Sequence, residues 1–139
     1  MDTSEVKKLL LKSSYTIIVR KNGETFTSTL KGVDPLLKLL NENPDFLKGS
    51  AVADKVIGKG AAMLLAMGKP SYVFANIISD PAIEILEKHR IPFEYYTFVP
   101  HIMNRRGTDL CPIEKALFDI DDLEEGYKTI VETSDALRK

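Results

Sequence analysis

The sequence predicts an α/β domain in which helices cover a mixed β-sheet. Three observations carry that prediction. Asn22-Gly23 stands between two strand-like runs and signals a hairpin, hence antiparallel strands. Further on, helix-like and strand-like segments alternate, and helical crossovers join parallel neighbours. The run Tyr72 to Ile78 (YVFANII) is apolar at nearly every position, as a strand covered on both faces requires. At 139 residues the chain suits a single domain over residues 1–139.

The elements follow in order. Val6, Leu9 and Leu10 share one face of a helix from Glu5 to Lys12, with Ser4 as its cap. Tyr15 to Arg20 and Glu24 to Leu30 are the hairpin strands. Asp34-Pro35 opens a second helix, Asp as N-cap and Pro at the first helical position; Pro44 stops it near Asn43. Residues 41–50 read as a polar connection. Val52 to Met67 (VADKVIGKGAAMLLAM) reads as one broadly apolar helix, with Gly68 as C-cap and Pro70 barring continuation. After the strand at 72–78, Ser79 or Asp80 caps a helix from Pro81 to His89. Pro92 to Val99 is a further strand, and residues 101–110 are a polar loop. Cys111-Pro112 opens a helix through Phe118, and a last helix runs from about Asp122 to Leu137.

Composition excludes several functions. Nineteen Lys and Arg against twenty Asp and Glu leave no basic excess to attract nucleic acid or an anionic membrane. A single cysteine excludes an intrachain disulfide and any site needing two thiolates. The N-terminal stretch is charged and has only a three-Leu apolar run, so neither a signal peptide nor a membrane span is expected there, and the expected location is the cytoplasm.

Two motifs carry a family resemblance. The first is Val52-Ala53-Asp54-Lys55 with Gly58-Lys59. The second is Asn104-Arg105 with Gly107-Thr108, Cys111-Pro112 and Glu114. Through them, over roughly residues 5–125, the chain resembles the uncharacterised bacterial family "domain of unknown function 1893", whose fold is similar to that of cytidine deaminases. The resemblance implies a three-layer α/β/α sandwich with a mixed sheet and no particular activity. Zinc deaminases place H-x-E at the start of one helix and P-C-x-x-C at the start of the next. Here those positions read Ala53-Asp54-Lys55 and Ser79-Asp80-Pro81-Ala82, and His89 and His101 are not followed by x-Glu. No metal and no cofactor is expected.

The candidate site residues are those least expected in their setting. Lys55 and Lys59 project from one face of the expected helix that Asp54 caps, and Gly58 and Gly60 weaken its interior by about 0.8–1.0 kcal/mol each. An anion at the helix N-terminus accounts for them, because free N–H groups and the helix dipole favour negative charge there. Cys111 falls at the N-cap of its helix, with Glu114 as a capping-box acid. Asn104, Arg105 and Thr108 offer amide, guanidinium and hydroxyl groups to a phosphate or carboxylate. Both segments are expected to meet at the carboxyl ends of the parallel strands. The expected function is therefore a zinc-free domain binding a small anionic or nucleotide-like molecule. A metal-independent enzyme using Cys111 or Lys55, and a protein-interaction module without a small ligand, are the alternatives. A homo-oligomer is compatible with either.

Overall fold

The computed structural model describes residues 2–138. Five strands form one sheet in the order β2-β1-β3-β4-β5. The hairpin is β1 (Ile17–Lys21) and β2 (Glu24–Ser28). Its turn uses Asn22 at φ 51° and Gly23 at φ 83°, the left-handed pair that an Asn-Gly hairpin turn needs. β1 also pairs antiparallel with β3 (Ala51–Ile57). From there β3, β4 (Tyr72–Ser79) and β5 (Phe93–Val99) run parallel. The sheet is thus mixed, and β4 lies inside it as its apolar run requires.

The largest departure from the sequence reading is β3. Residues 52–67 are not one helix: 51–57 form a strand, and the helix α4 covers only Lys59–Gly68. Val52, Val56 and Ile57 are β-branched, a preference that suits a pleated ladder with partners on both sides. Asp54 and Lys55 inside that run masked it, and the alanine-rich stretch beyond Gly58 lent its helical period to the whole. Lys55 and Lys59 therefore do not share a helix face, and Asp54 caps nothing.

Smaller differences follow from tertiary pairing. The first helix, α1, spans Asp2–Lys12, so Ser4 lies inside it. The second, α2, spans Asp34–Glu42 with Val33 as N-cap; the Asp34 carboxylate instead accepts from Ser134 Oγ at 2.7 Å and pairs with Arg138. A short helix, α3 (Pro44–Leu47), interrupts the expected connection. α4 ends through Lys69 at φ 58°, one residue after Gly68. α5 (Asp80–Lys88) is capped by Ser79, whose Oγ accepts from the Ala82 N–H at 3.3 Å. α6 is Pro112–Ala116, and α7 (Leu123–Leu137) is capped by Asp122.

Two apolar clusters lie on opposite faces of the sheet, since neighbouring strand residues point oppositely. On one face Val6 and Leu10 of α1 pack on Ile18, Ala51, Ala53 and Phe74; the two small alanines let the helix approach closely. On the other, Ile17, Val19, Val52, Val73 and Ala75 meet α4, α5, α2 and α3, and α7 packs outside α4. Val52 and Ile57, five apart, reach this same cluster, as do Val73 and Ile78. Strict alternation forbids that, so β3 and β4 each turn by one residue in between. The paired registers skip Lys55, Asn76 and Tyr96 at that level. The register is the same before and after that level, so no strand carries an extra residue; the three strands share the irregularity, which re-aims the side chains that follow. Among the described residues no helix is long and apolar enough to cross a membrane.

Candidate functional site

The irregular level of β3 at Lys55 sits beside a cavity of about 390 Å³. β3, β4 and β5 end together at Ile57, Ser79 and Val99, and the cavity opens at this carboxyl edge. Four parts of the chain wall it. Thr16 precedes β1, and residues 30–33 with Pro35 follow β2. Asp54, Lys55, Val56 and Gly58 come from the end of β3, and Ile102, Cys111, Ile113 and Glu114 from the segment after β5. The lining is mainly apolar with a few polar groups, as small-molecule sites are.

Asp54 is the most perturbed group there. It is 6% exposed, and burial pushes its carboxyl up to about 8, against the pull of the Val56 and Lys55 backbone N–H groups. Below that pH it is a neutral acid, able to donate as well as accept a hydrogen bond.

Glu114 is 8% exposed and reaches from α6 to the start of α4. Its carboxylate accepts from Lys59 N–H at 2.7 Å and Gly60 N–H at 3.1 Å. The anion expected at this helix N-terminus is thus supplied by the protein, and Glu114 caps α4 rather than its own helix. Burial raises its carboxyl, while the two N–H groups, the Lys59 charge and His101 pull it back. Gly58 permits the approach: a Cβ there would lie 2.7 Å from the Glu114 carboxyl carbon. At Gly60 a Cβ would lie 2.7 Å from Ile113 Cγ2. The glycines therefore sit at the N-cap and first turn of α4, where α6 docks, and not in a helix interior.

Lys59 completes the joint from the other side. Its buried Nζ donates to Leu117 O at 2.9 Å and pairs with Asp121 at 3.0 Å. Each helix thus caps the other: α6 gives a carboxylate to the start of α4, and α4 gives an ammonium to the end of α6. Lys59 lies outside the cavity lining.

Of the sequence-predicted residues, the fold brings Asp54, Lys55, Gly58, Cys111 and Glu114 to one cavity. It does not bring Asn104, Arg105 and Thr108 there. Asn104 holds its own turn, its Oδ1 accepting from Thr108 N–H at 3.1 Å, and Met103 bridges Leu110 across the loop base. Arg105 is exposed. Sequence reasoning missed Thr16, Lys31, Val33 and Ile102, which carry no local signal; the packing of the segments before β1 and after β2 and β5 delivers them. Among the described residues no group of three or more His, Cys, Asp or Glu is arranged to hold a metal ion.

Comparison with known proteins agrees with this architecture. No curated protein matches the sequence. A crystal structure of a DUF1893 family protein (TM1506) from Thermotoga maritima is 29% identical, with a TM-score of 0.86 over 93% of this chain and 87% of that one. The family description "Domain of unknown function (DUF1893)" matches residues 5–133, and the chain belongs to that family.

Proposed function

We propose that this is a zinc-free, cytidine-deaminase-like domain, a three-layer sandwich whose cavity binds a small nucleotide-like molecule. The observation that carries the reading is the cavity itself, which gathers Asp54, Lys55, Cys111 and Glu114 at the carboxyl edge of the parallel strands. Its volume lies within the ~300–1,000 Å³ range of small-molecule sites. In this reading a flat ring lies among Leu30, Val33, Ile102 and Ile113, and Asp54 meets its polar edge. An anionic group meets Lys55 and Lys31 at the mouth, since Glu114 already occupies the α4 N-terminus. A protonated Asp54 removes one negative charge that otherwise opposes such a ligand.

Zinc does not fit the corresponding helix starts. With β3 ending at Ile57, the first of them reads Gly58-Lys59-Gly60, not Ala53-Asp54-Lys55. The second reads Ser79-Asp80-Pro81, with Ser79 engaged as a cap. Neither offers His or Cys, the donors a deaminase zinc takes.

Thermal shift with nucleosides and their 5′-monophosphates tests the reading. At ten times Kd a ligand adds about 1.4 kcal/mol, or roughly 3–5 °C for a chain of this size. The monophosphate is expected to stabilise more than its nucleoside, and Lys55→Ala to erase that difference. No shift from any of them at millimolar concentration refutes the proposal and favours an interaction module. Rapid alkylation of Cys111 at pH 7, blocked by a bound ligand, favours the enzyme alternative.

A further inference from the structure

β5 ends the sheet, and its outer edge pairs with no strand among the described residues. It is unlike the opposite edge. β2 reads ETFTS, short and polar, whereas β5 reads FEYYTFV. Tyr95 is 47% exposed, Tyr96 79% and Phe98 48%, and Met103 just beyond is 45% exposed. The covering helix on one face, α1, lies over β1 and β3 and does not extend to β5. An exposed edge of aromatic residues, without proline or lysine, is a template for another strand.

The occupant follows from charge and area. Glu94, the one charged residue of β5, is already engaged by the Tyr72 hydroxyl at 2.7 Å. With one charge in seven residues the edge offers no charge pattern to an acidic or basic partner, and its aromatic side chains suit a surface like itself. Two identical strands laid antiparallel meet about a twofold axis, and such a contact closes. At ~200 Å² per aromatic side chain, the exposed parts of Tyr95, Tyr96 and Phe98 offer about 350 Å² per copy. That approaches half of the ~800 Å² per partner of a standard interface before backbone and Met103 are added.

We propose that the chain self-associates through β5, two copies pairing these strands antiparallel so that their five-stranded sheets join into one, with Tyr95, Tyr96 and Phe98 at the seam. Aromatic and β-branched cross-strand pairs stabilise such a seam, and like charges set opposite each other disrupt it.

Sedimentation velocity from about 1 to 200 μM is the test, that range bracketing dimers of ordinary affinity. The expected result is a species of about twice 15.6 kDa for the wild type. Tyr96→Lys and Phe98→Lys are each expected to weaken association at least tenfold with thermal stability retained, because both side chains are exposed. Leu11→Lys, at a 56% exposed position on α1, is expected to leave it unchanged. Amide exchange of the unaltered protein asks the same question without substitution: β5 amides should exchange more slowly as concentration rises. A monomer throughout the range, a dimer indifferent to both β5 variants, or concentration-independent exchange in β5 overturns the proposal.

Discussion

Replacing Glu114 by alanine is expected to destabilise the protein by about 3–4 kcal/mol. The figure comes from the two hydrogen bonds its carboxylate accepts at the start of α4. A hydrogen bond to a charged group contributes ~1.5–3 kcal/mol. Deletion leaves the Lys59 and Gly60 N–H groups buried without acceptors, which costs more than an exposed cap loss of ~1 kcal/mol. Relief from burying a carboxylate, visible in its raised pKa, offsets part of that. For a chain of this length the loss corresponds to a fall in Tm of roughly 10–15 °C. Glu114→Gln retains one good acceptor and should lose about half as much. Gly58→Ala supplies the stricter test, because its added Cβ would lie 2.7 Å from the Glu114 carboxyl carbon. Alanine at 58 should be costly in the wild type and nearly neutral when Glu114 is already alanine. Urea unfolding of the four proteins measures this coupling, expected at about 1–3 kcal/mol within the usual range for contacting residues, or about 5- to 150-fold in the equilibrium. Strict additivity, or a Glu114→Ala loss below ~0.5 kcal/mol, the usual range for a surface substitution, refutes the account of this joint.

Three further outcomes are expected. Asp54 has a folded pKa raised to about 8 from 3.8, so its contribution to stability is fully present below pH 4 and lost as pH rises through 8; Asp54→Asn should flatten the decline in urea stability between pH 5 and pH 9, and an unchanged slope counts against a buried neutral acid. Lys59→Met keeps the apolar stem but removes the buried ammonium from Leu117 O, which retains only the Ile120 N–H, and from Asp121; denaturant titration should show a loss of about 1–2 kcal/mol, and a neutral substitution shows that the helix joint does not depend on it. Gly23→Ala places a Cβ at φ 83°, and calorimetry should register a cost of about 1 kcal/mol, with an unaltered Tm contradicting the left-handed turn.

The sequence by itself determined whatever rests on local chemistry. Asn22-Gly23 dictates a left-handed turn wherever it stands, and the apolar run at 72–78 demands cover on both faces. Ser79 and Asp122 stand at helix starts, and each side chain caps the N–H three residues ahead. The lack of paired cysteines settled the thiolate question before any fold was known. Asp54, Lys55, Cys111 and Glu114 were legible as unusual, and two distant segments of the chain bring them to one cavity.

Tertiary structure alone decided what those residues do. Val52 to Ile57 is a strand because β1 and β4 flank it and satisfy its backbone; nothing within the segment outweighs the helical period of the alanines that follow. Glu114 belongs to α4 rather than to its own helix because the fold sets the two helix ends against each other, 54 residues apart in sequence. Capping by a neighbour in sequence is visible in spacing, while capping by a distant helix is not. Lys59 looked like an anion contact for the same reason: a lysine near glycines fits a ligand equally well until its Nζ is seen on the Leu117 carbonyl. Burial gives Asp54 its raised pKa, and burial is a property of what packs around a residue, not of the residues beside it in the chain.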